Sequence, residues 1–486
     1  MAEAPKLGAK VRALRRREGL TQVQLAERLG ISSSYLNLIE HNRRPLPAQH
    51  LIKLAQLFQI DLQAFSADDE DELRAALMEV FGDPMFEAYE LTQNEVRELA
   101  SQNPNAARAV LALYRGFRQV ERSGREGPPL QQGSSPPDEV GELLQRNQNY
   151  FPDIEDAAEG LWRTARLSSG DLQARLVDYL ESVHGFTVRF VRESALPGQV
   201  RRLDREHHAL LLSEVLAPRS RLFQLAHVIG LLEQSDLFGR IVRDQTLTSD
   251  ESRRLGRVAL ANYFAGAVLM PYGEMLESAK RERYDIELLG HRFRASFEQV
   301  CHRLTTLRRP GSEGVPFHLV RVDVAGNLSK KFSASGFRFS SFGAGCPRWN
   351  EHAAFLTPGI IRTQVSRMPD GTAYFSVART VRTSRGGFRE GYVLHSVGIG
   401  CELRYASRLV YSDGIDLANV EGVPIGVACR VCERTDCDQR AFPAVFRPLR
   451  IDEDVRGTSF YVEAQRVGAP AAGPRPEGGG AGRISD

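Results

Sequence analysis

Long apolar segments are missing from this sequence. No apolar run in its 486 residues approaches the roughly 20 residues that a membrane-spanning helix needs. The opening stretch, MAEAPKLGAKVRALRRREG, also lacks the apolar core of a secretory signal peptide. We therefore expect a cytoplasmic protein that does not contact a membrane.

Cysteine is scarce, and its distribution is uneven. The chain has six cysteines, and three of them, Cys429, Cys432 and Cys437, fall within the segment 429–437. A reducing cytoplasm argues against a disulfide framework. Clustered cysteines in that compartment are more typical of a metal site or of thiol–disulfide exchange.

Excess charge of one sign is absent overall, because the formal net charge is only +2. Locally the balance is different. Residues 1–60 carry ten Lys and Arg against four Asp and Glu, whereas residues 61–90 carry one Arg against ten acidic residues. A basic segment at the start of a chain with ordinary hydrophobic content indicates a nucleic-acid-binding module followed by different domains.

The patterns along the chain predict several domains. Apolar residues recur at helical spacing up to residue 120, and "FHLVRVDVAGNLSKKF", "AYFSVARTVR" and "ELRYASRLVY" alternate as strands do. We predict a mainly α-helical head at 1–68, a helical connector at 69–120, a Gly- and Pro-rich linker at 121–139, an α+β middle domain at 140–310, a β-rich C-terminal domain with the cysteine cluster at 311–466, and a disordered tail at 467–486.

The segment "LTQVQLAERLGISSSYLNLIE" predicts a helix-turn-helix. Thr21 is placed to cap a first helix, Gly30 permits the left-handed turn between crossed helices, and Ser32 caps a second helix. Polar residues of the second helix point outward, as they would in a DNA major groove. The alternative is a small helical domain that contacts another protein.

Residues 6–66 resemble the Xre/Cro-type helix-turn-helix family, which implies double-stranded operator DNA as the partner and a homodimer as the binding form. Carried over by position, the resemblance implies base or phosphate contacts from one set of residues and phosphate contacts from two arginines, with Arg12 and Arg16 as weaker candidates. The first set is Gln22, Ser33, Ser34 and Asn37, and the arginines are Arg43 and Arg44.

The segment "RLFQLAHVIGLLE" is a broken form of the zinc-binding pattern H-E-x-x-H. Val228 follows His227 where the catalytic glutamate belongs, and Leu231 replaces the second histidine. Together with "ALANYFAGAVLMP", the segment resembles the zinc-peptidase-like domain of IrrE-type regulators, but Val258, Ala259 and Leu260 stand where that family has its carboxylate ligand. We therefore predict no enzymatic activity.

The cysteine cluster needs a fourth ligand if it holds a metal. Cys346, in the Gly-flanked loop "SFGAGCPRWNEH", is the best candidate, whereas Cys301 and Cys401 have the surroundings of core residues. Four thiolates suit either zinc or an iron–sulfur cluster. Thiol–disulfide exchange is less favoured because no strand–C-x-x-C–helix pattern is present.

The order of these parts, with "FGAGCPRWNEHAAFLTPG", "MPDGTAYFSVART" and "PIGVACRVCERTDCDQRAFP", resembles the short-chain fatty acyl regulator family over residues 6–450. That family includes the RamB-like and PrpR-like transcription factors of acetate and propionate metabolism. The resemblance implies an acyl-CoA effector and a [4Fe-4S] cluster on Cys346, Cys429, Cys432 and Cys437, with Zn²⁺ as the alternative.

We expect the effector site in the middle domain. His227 is interpreted either as a hydrogen-bonded core residue or as the wall of a former peptidase cleft that now holds the effector. Arginines would meet the phosphates of CoA, and the candidates are Arg189, Arg201, Arg202 and Arg221, with His227 and Tyr263. A rival interpretation is a phage-type or stress-response repressor controlled by a protein partner or by the redox state of the cysteines.

Overall fold

A computed structural model describes residues 8, 11, 12, 15, 20–40, 43, 44, 46–58, 67–89, 91–123, 135–168, 170–340, 345–384 and 391–444. The predicted disordered tail and Arg16 lie outside these residues. No helix in the described part is long and apolar enough to cross a membrane. The predicted fold class is confirmed: a helical head, an α+β middle domain and a β-rich C-terminal domain follow one another.

The head is built as its sequence predicts. Its helices are α1 (Gln22–Leu29), α2 (Ser33–Glu40) and α3 (Ala48–Phe58). Thr21 and Gln24 form a capping box at the start of α1, and Gly30 ends that helix with a φ of 74°. A small apolar core that includes Leu25, Leu36 and Leu54 joins the three helices.

The connector is a separate helical unit. It comprises α4 (Ala67–Phe81), a 3₁₀ helix (Pro84–Tyr89), α5 (Gln93–Gln102) and α6 (Pro104–Ser123). Leu77, Val80, Val96 and Leu111 form its own core. A second capping box, between Thr92 and Glu95, starts α5.

The predicted linker is shorter than its composition suggests. Helix α6 continues to Ser123, and α7 begins at Pro136, so both edges of the segment 121–139 are helical. Pro136 and Pro137 do not prevent a helix here because they occupy its first turn, where proline has the required φ and no amide needs a partner. Residues 124–134 lie outside the described part.

The middle domain combines helices with a small mixed sheet. Its elements are α7 (Pro136–Arg146), α8 (Pro152–Thr164), α9 (Leu172–Ser182), β1 (Thr187–Val191), β2 (Arg201–Asp204), β3 (Ala209–Ser213), α10 (Pro218–Glu233), α11 (Ser235–Ile241), α12 (Asp250–Leu269), α13 (Tyr272–Arg281), α14 (Ile286–Arg292) and α15 (Phe297–Thr305). Strand β3 lies in the centre, parallel to β1 and antiparallel to β2. Helices α10 and α12 pack against each other, which places His227 inside the domain.

The C-terminal domain contains a six-stranded sheet of order β5-β4-β8-β7-β6-β9. Its elements are β4 (His318–Asp323), β5 (Leu328–Ser333), α16 (Asn350–Ala353), β6 (Arg362–Arg367), β7 (Ala373–Ser384), β8 (Tyr392–Glu402) and β9 (Val423–Pro424). A short 3₁₀ turn, Cys429–Val431, follows β9 and carries Cys429, and Cys432 comes directly after it.

The predicted strand "ELRYASRLVY" is wrong. Strand β8 ends at Glu402, and the segment forms two 3₁₀ helices, Leu403–Arg408 and Val410–Ser412. Leu403, Ala406 and Leu409 are spaced by three residues, which is the period of a 3₁₀ helix and not that of a strand. Ala406 and Leu409 are buried in the core.

One continuous apolar core crosses the predicted boundary at residue 310. It contains middle-domain residues such as Phe264 and C-terminal residues such as Phe375 and Cys401. The guanidinium of Arg283 adds a bidentate ion pair to Asp413, with distances of 2.7 and 2.9 Å. The middle and C-terminal domains are therefore packed together as one unit, and the predicted boundary between them stays a prediction.

Candidate functional site

The outward face of α2 carries the residues predicted to contact DNA. Ser33, Ser34 and Asn37 are exposed, and Arg43 and Arg44, just beyond the helix, are exposed as well. Ser33, Ser34 and Asn37 share one face of α2 by their spacing, and the amides of Arg43 and Arg44 bond the Leu38 carbonyl near the end of that helix. Their roles in DNA contact stay predictions.

Gln22 is held in position by a carboxylate that sequence reasoning missed. Its amide donates to the buried Glu40 (2.8 Å), and Asn37 donates to the Gln22 amide oxygen at 3.5 Å. Arg15 binds both oxygens of Glu40, at 2.6 and 3.0 Å. Burial raises the pKa of Glu40, but its bonds to Arg15 and Gln22 outweigh burial and lower the pKa overall. The signal in the sequence was an acid at the C-terminal end of a helix, where the dipole disfavours it.

His227 in the middle domain has hydrogen-bond partners on its ring. A guanidinium nitrogen of Arg201 lies 2.7 Å from Nδ1, and because arginine only donates, Nδ1 accepts. The ring also bonds the backbone of Val258. Burial, followed by the Arg201 charge, lowers the pKa of His227 to about 4, so the imidazole is neutral near pH 7. This geometry favours a hydrogen-bonded core histidine.

The other predicted effector arginines do not join this pair. Arg189 and Arg202 both pair with Leu211 across the small sheet, and both are exposed. Arg201 pairs with Leu212 and therefore lies on the opposite face. Arg221 donates to two backbone carbonyl groups and lies 4.9 Å above the ring of Phe190.

Tyr263 belongs to a buried ionic network. Its hydroxyl donates to Glu155 (2.6 Å), and Arg303 binds both oxygens of that carboxylate at 2.6 and 2.8 Å. Arg303 also donates to the Met270 carbonyl at 2.8 Å. This network joins α8, α12 and α15. Of the six effector candidates, Arg201 and His227 form a hydrogen bond with each other, and their role stays a prediction.

The four predicted metal-binding cysteines line one cavity in the C-terminal domain. Cys346 is buried, while the other three are half-buried in and after the 3₁₀ turn; the shared cavity is lined by Cys346, Cys429, Cys432 and Cys437, together with Arg434 and Arg440. By contrast, Cys301 and Cys401 are buried in the shared core, as predicted.

Backbone amides point at two of these thiols. Burial raises the pKa of Cys346, and the amides of Gly426 and Arg348 oppose that rise. The amide of Arg434 acts in the same way on Cys432, whose pKa is also raised mainly by burial. Donors of this kind stabilise a thiolate and would support a thiolate ligand.

Arg440 organises the loop that carries the cysteines, and the sequence did not reveal this role. Its buried guanidinium donates to the carbonyls of Cys429 (2.8 Å) and Cys432 (2.9 Å), and to that of Arg434. Gly426 lies so close that an added Cβ would be 2.8 Å from the Cys432 sulfur. In the described part of the chain, no three His, Cys, Asp or Glu side chains are arranged to hold a metal ion.

A second cavity lies beside the first and was not predicted. It is lined by aromatic rings, a carboxyl and an imidazole, among them Phe337, Trp349, Tyr374, Glu351 and His318. Two glycines of β8 leave room for the polar pair: a Cβ on Gly398 would be 1.9 Å from a Glu351 oxygen, and one on Gly400 would be 2.5 Å from the His318 ring. Burial raises the pKa of Glu351 to about 7.

Three family models match the chain. The helix-turn-helix model covers residues 11–65, the IrrE N-terminal-like domain covers 181–305, and the model described as short-chain fatty acyl coenzyme A regulator, C-terminal, covers 306–461.

Relatives match nearly the whole chain. The HTH-type transcriptional regulator RamB of Mycobacterium tuberculosis is 41% identical over 471 residues, covering 94% of this chain and 99% of the relative. PrpR of the same organism is 38% identical, with coverages of 94% and 96%. The propionyl-CoA carboxylase regulator of Cereibacter sphaeroides is 38% identical, with coverages of 95% and 99%.

A solved structure of a Mycobacterium tuberculosis transcriptional regulator is also similar. It is 40% identical, superposes with a TM-score of 0.65, and covers 68% of this chain and 99% of the solved one. The architecture, the broken peptidase motif and the near full-length relatives agree. This chain therefore belongs to the short-chain fatty acyl coenzyme A regulator family of helix-turn-helix transcriptional regulators.

Proposed function

We propose that this protein binds operator DNA through α2 and regulates genes of propionate or acetate metabolism in response to a short-chain acyl-CoA. The observation that carries the proposal is the exposed polar face of Ser33, Ser34 and Asn37, flanked by Arg43 and Arg44, on a head joined to a family-specific C-terminal domain. The names of the relatives support the metabolic assignment.

Mapping of bound DNA across the genome tests this function directly. We expect sites beside genes that make or consume propionyl-CoA or acetyl-CoA, each with two half-sites about 10 base pairs apart for a homodimer. Light scattering of the purified protein measures the oligomeric state independently. Binding sites without any such gene nearby would contradict the metabolic assignment.

The effector proposal is separate from DNA binding. Arg201 and His227 offer one cationic donor and one neutral imidazole in the former peptidase domain. Calorimetric titration with propionyl-CoA, with free CoA as the control, should give heat that depends on the acyl group. The absence of heat with any acyl-CoA at millimolar concentration would remove the effector from the proposal.

We also propose that Cys346, Cys429, Cys432 and Cys437 hold a [4Fe-4S] cluster, with Zn²⁺ as the alternative. The four thiols line one cavity, and soft sulfur donors suit either group; because no three of them are arranged to hold a metal in the described structure, ligation would draw them together. The amides directed at Cys346 and Cys432 would stabilise the ligands, and Arg434 and Arg440 would offset the negative charge. Metal analysis and the visible absorbance of anaerobically purified protein distinguish iron–sulfur from colourless zinc.

The middle domain is proposed to have no peptidase activity. A zinc peptidase needs several ligands and a general base. The broken motif retains His227 alone, and the Arg201 guanidinium donates to its Nδ1 nitrogen. Incubation with unfolded protein substrates and added zinc should therefore yield no cleavage products.

A further inference from the structure

The connector directly touches the cysteine-bearing turn, which comprises residues 429–432. Gly82, immediately after α4, lies against Val431, and a Cβ on Gly82 would be 3.2 Å from the Val431 Cγ1 atom. Val431 stands between Cys429 and Cys432 in the 3₁₀ turn. Because the approach is this close, a small shift of Val431 would change its packing against the connector.

Polar contacts extend this junction on both sides. The Gln93 amide donates to Glu433 at 2.9 Å, one residue beyond Cys432. The Ser340 hydroxyl donates to Glu79 of α4, and Arg338 donates to the Asp71 carbonyl at 3.4 Å. These contacts join segments more than 250 residues apart in the chain, so they fix the connector on the C-terminal domain.

Charged side chains of the connector and of the turn also lie near this contact. Burial raises the pKa of Asp83, but the Tyr114 hydroxyl, which donates at 2.6 Å, and the nearby Arg118 and Arg430 lower it overall. Arg430 belongs to the cysteine-bearing turn, whereas the other groups belong to the connector. The carboxylate of Asp83 in the connector is therefore stabilised in part by a positive charge on the turn.

The turn is held by few bonds of its own. Its backbone bond from the Cys432 amide to the Cys429 carbonyl is 3.3 Å long, and the Arg440 guanidinium donates to the carbonyls of the same two residues. Ligation of both thiolates by one metal group would fix the spacing of Cys429 and Cys432, and with it the position of Val431 between them.

We propose that the cysteine-bearing turn is the docking site of the connector, and that ligation of the cysteines fixes the turn in the form to which the connector docks. The connector leads directly to the DNA-binding head, so ligation would set how the head is held. This inference rests on the proposed cluster. It adds the surface to which the connector docks, and it makes that docking depend on cysteine ligation.

Hydrogen–deuterium exchange of the full-length protein tests the docking. In metal-loaded protein, we expect amides of residues 77–83 to be protected. The Val431→Glu variant should exchange there at least about tenfold faster, because a charge replaces the apolar contact. Gly82→Leu changes the same contact from the connector side and leaves the cysteine loop intact. Val324→Glu, at a valine that is 72% exposed in the same domain, is the matched control and should change nothing.

Stripping the metal should expose residues 77–83 as Val431→Glu does, while the metal content of Gly82→Leu stays at the level of the unaltered protein. Equal protection in loaded and stripped protein would overturn the control by ligation. Unchanged protection in both Val431→Glu and Gly82→Leu would overturn the docking itself. Metal analysis tests the cluster independently. Purified protein without bound iron or zinc would refute the cluster, whatever the pattern of hydrogen–deuterium exchange.

Discussion

Removing Arg303 leaves the Glu155 carboxylate without its ion-pair partner in a buried site. In the Arg303→Met variant, Glu155 loses two guanidinium bonds of 2.6 and 2.8 Å, and both side chains are only 1% exposed. We expect the free energy of unfolding to fall by about 3–5 kcal/mol, the usual cost of breaking a buried pair on one side. Methionine retains much of the apolar volume of arginine, so the loss reports mainly on charge.

The double variant Glu155→Leu/Arg303→Met separates the pair from its surroundings. It removes both charges, but it leaves the Tyr263 hydroxyl without its acceptor and the Met270 carbonyl without its Arg303 donor, at about 1–3 kcal/mol each. We therefore expect the double variant to be no less stable than Arg303→Met alone, so that the two losses are far from additive.

Urea unfolding followed by fluorescence measures these differences. Trp162 reports on the middle domain, where its indole donates to the Val268 carbonyl at 2.9 Å. Arg253→Met is the matched control, because Arg253 pairs with an Asp250 that is 84% exposed, and such pairs contribute about 1 kcal/mol or less. A loss in Arg303→Met that is as small as in this control, or a double variant that loses the sum of the two single losses, would refute the reasoning.

Three further outcomes follow from other sites. Burial raises the folded pKa of Glu351 to about 7, above an unfolded value of about 4.3, so the native state retains the proton and stability falls by about 2–3 kcal/mol between about pH 5 and pH 8. Denaturation at both pH values should show this fall, and Glu351→Gln should remove it. Gly398→Ala should lower the melting temperature through a loss of at least about 1–3 kcal/mol, because its Cβ would be 1.9 Å from the Glu351 carboxyl; an unchanged melting temperature would contradict this. In DNA-binding assays, Arg44→Ala should weaken all sequences alike and reduce the salt slope by about 1, whereas Asn37→Ala should cost about 1–3 kcal/mol on the operator alone.

The head could be predicted closely because its signals are local. A capping box needs only Thr21 and Gln24, and the turn between the helices needs only the left-handed Gly30. These residues act on neighbours within a few positions, so one sequence suffices to place them. The buried Glu40 was missed because its partner Arg15 lies 25 residues away and no spacing rule connects them.

The cysteine site could be predicted in part. The composition of the loop around Cys346 and the spacing of Cys429, Cys432 and Cys437 predicted the residues that line one cavity. The stabilising role of Arg440 was not visible, because it depends on carbonyl groups that converge only after the loop has folded.

The effector residues stay a prediction, and their choice used charge without strand direction. Arg201 and Arg202 are adjacent in sequence, yet they point to opposite faces of the small sheet because side chains alternate along a strand. The register of β2 against β3 decides which arginine reaches His227, and that register was not predicted from the sequence.

The packing of the connector and the two following domains defines a route from the proposed effector site to the head. The middle and C-terminal domains share one apolar core, whereas Gln93, Glu79 and Asp71 of the connector form hydrogen bonds with the C-terminal domain. An effector bound beside His227 would therefore act on the head through the shared core and then through the junction of Gly82 with Val431. The proposed effector and the proposed cysteine ligation would act in series in this arrangement, so a variant that breaks the junction should abolish the response of DNA binding to both, while acyl-CoA binding itself persists.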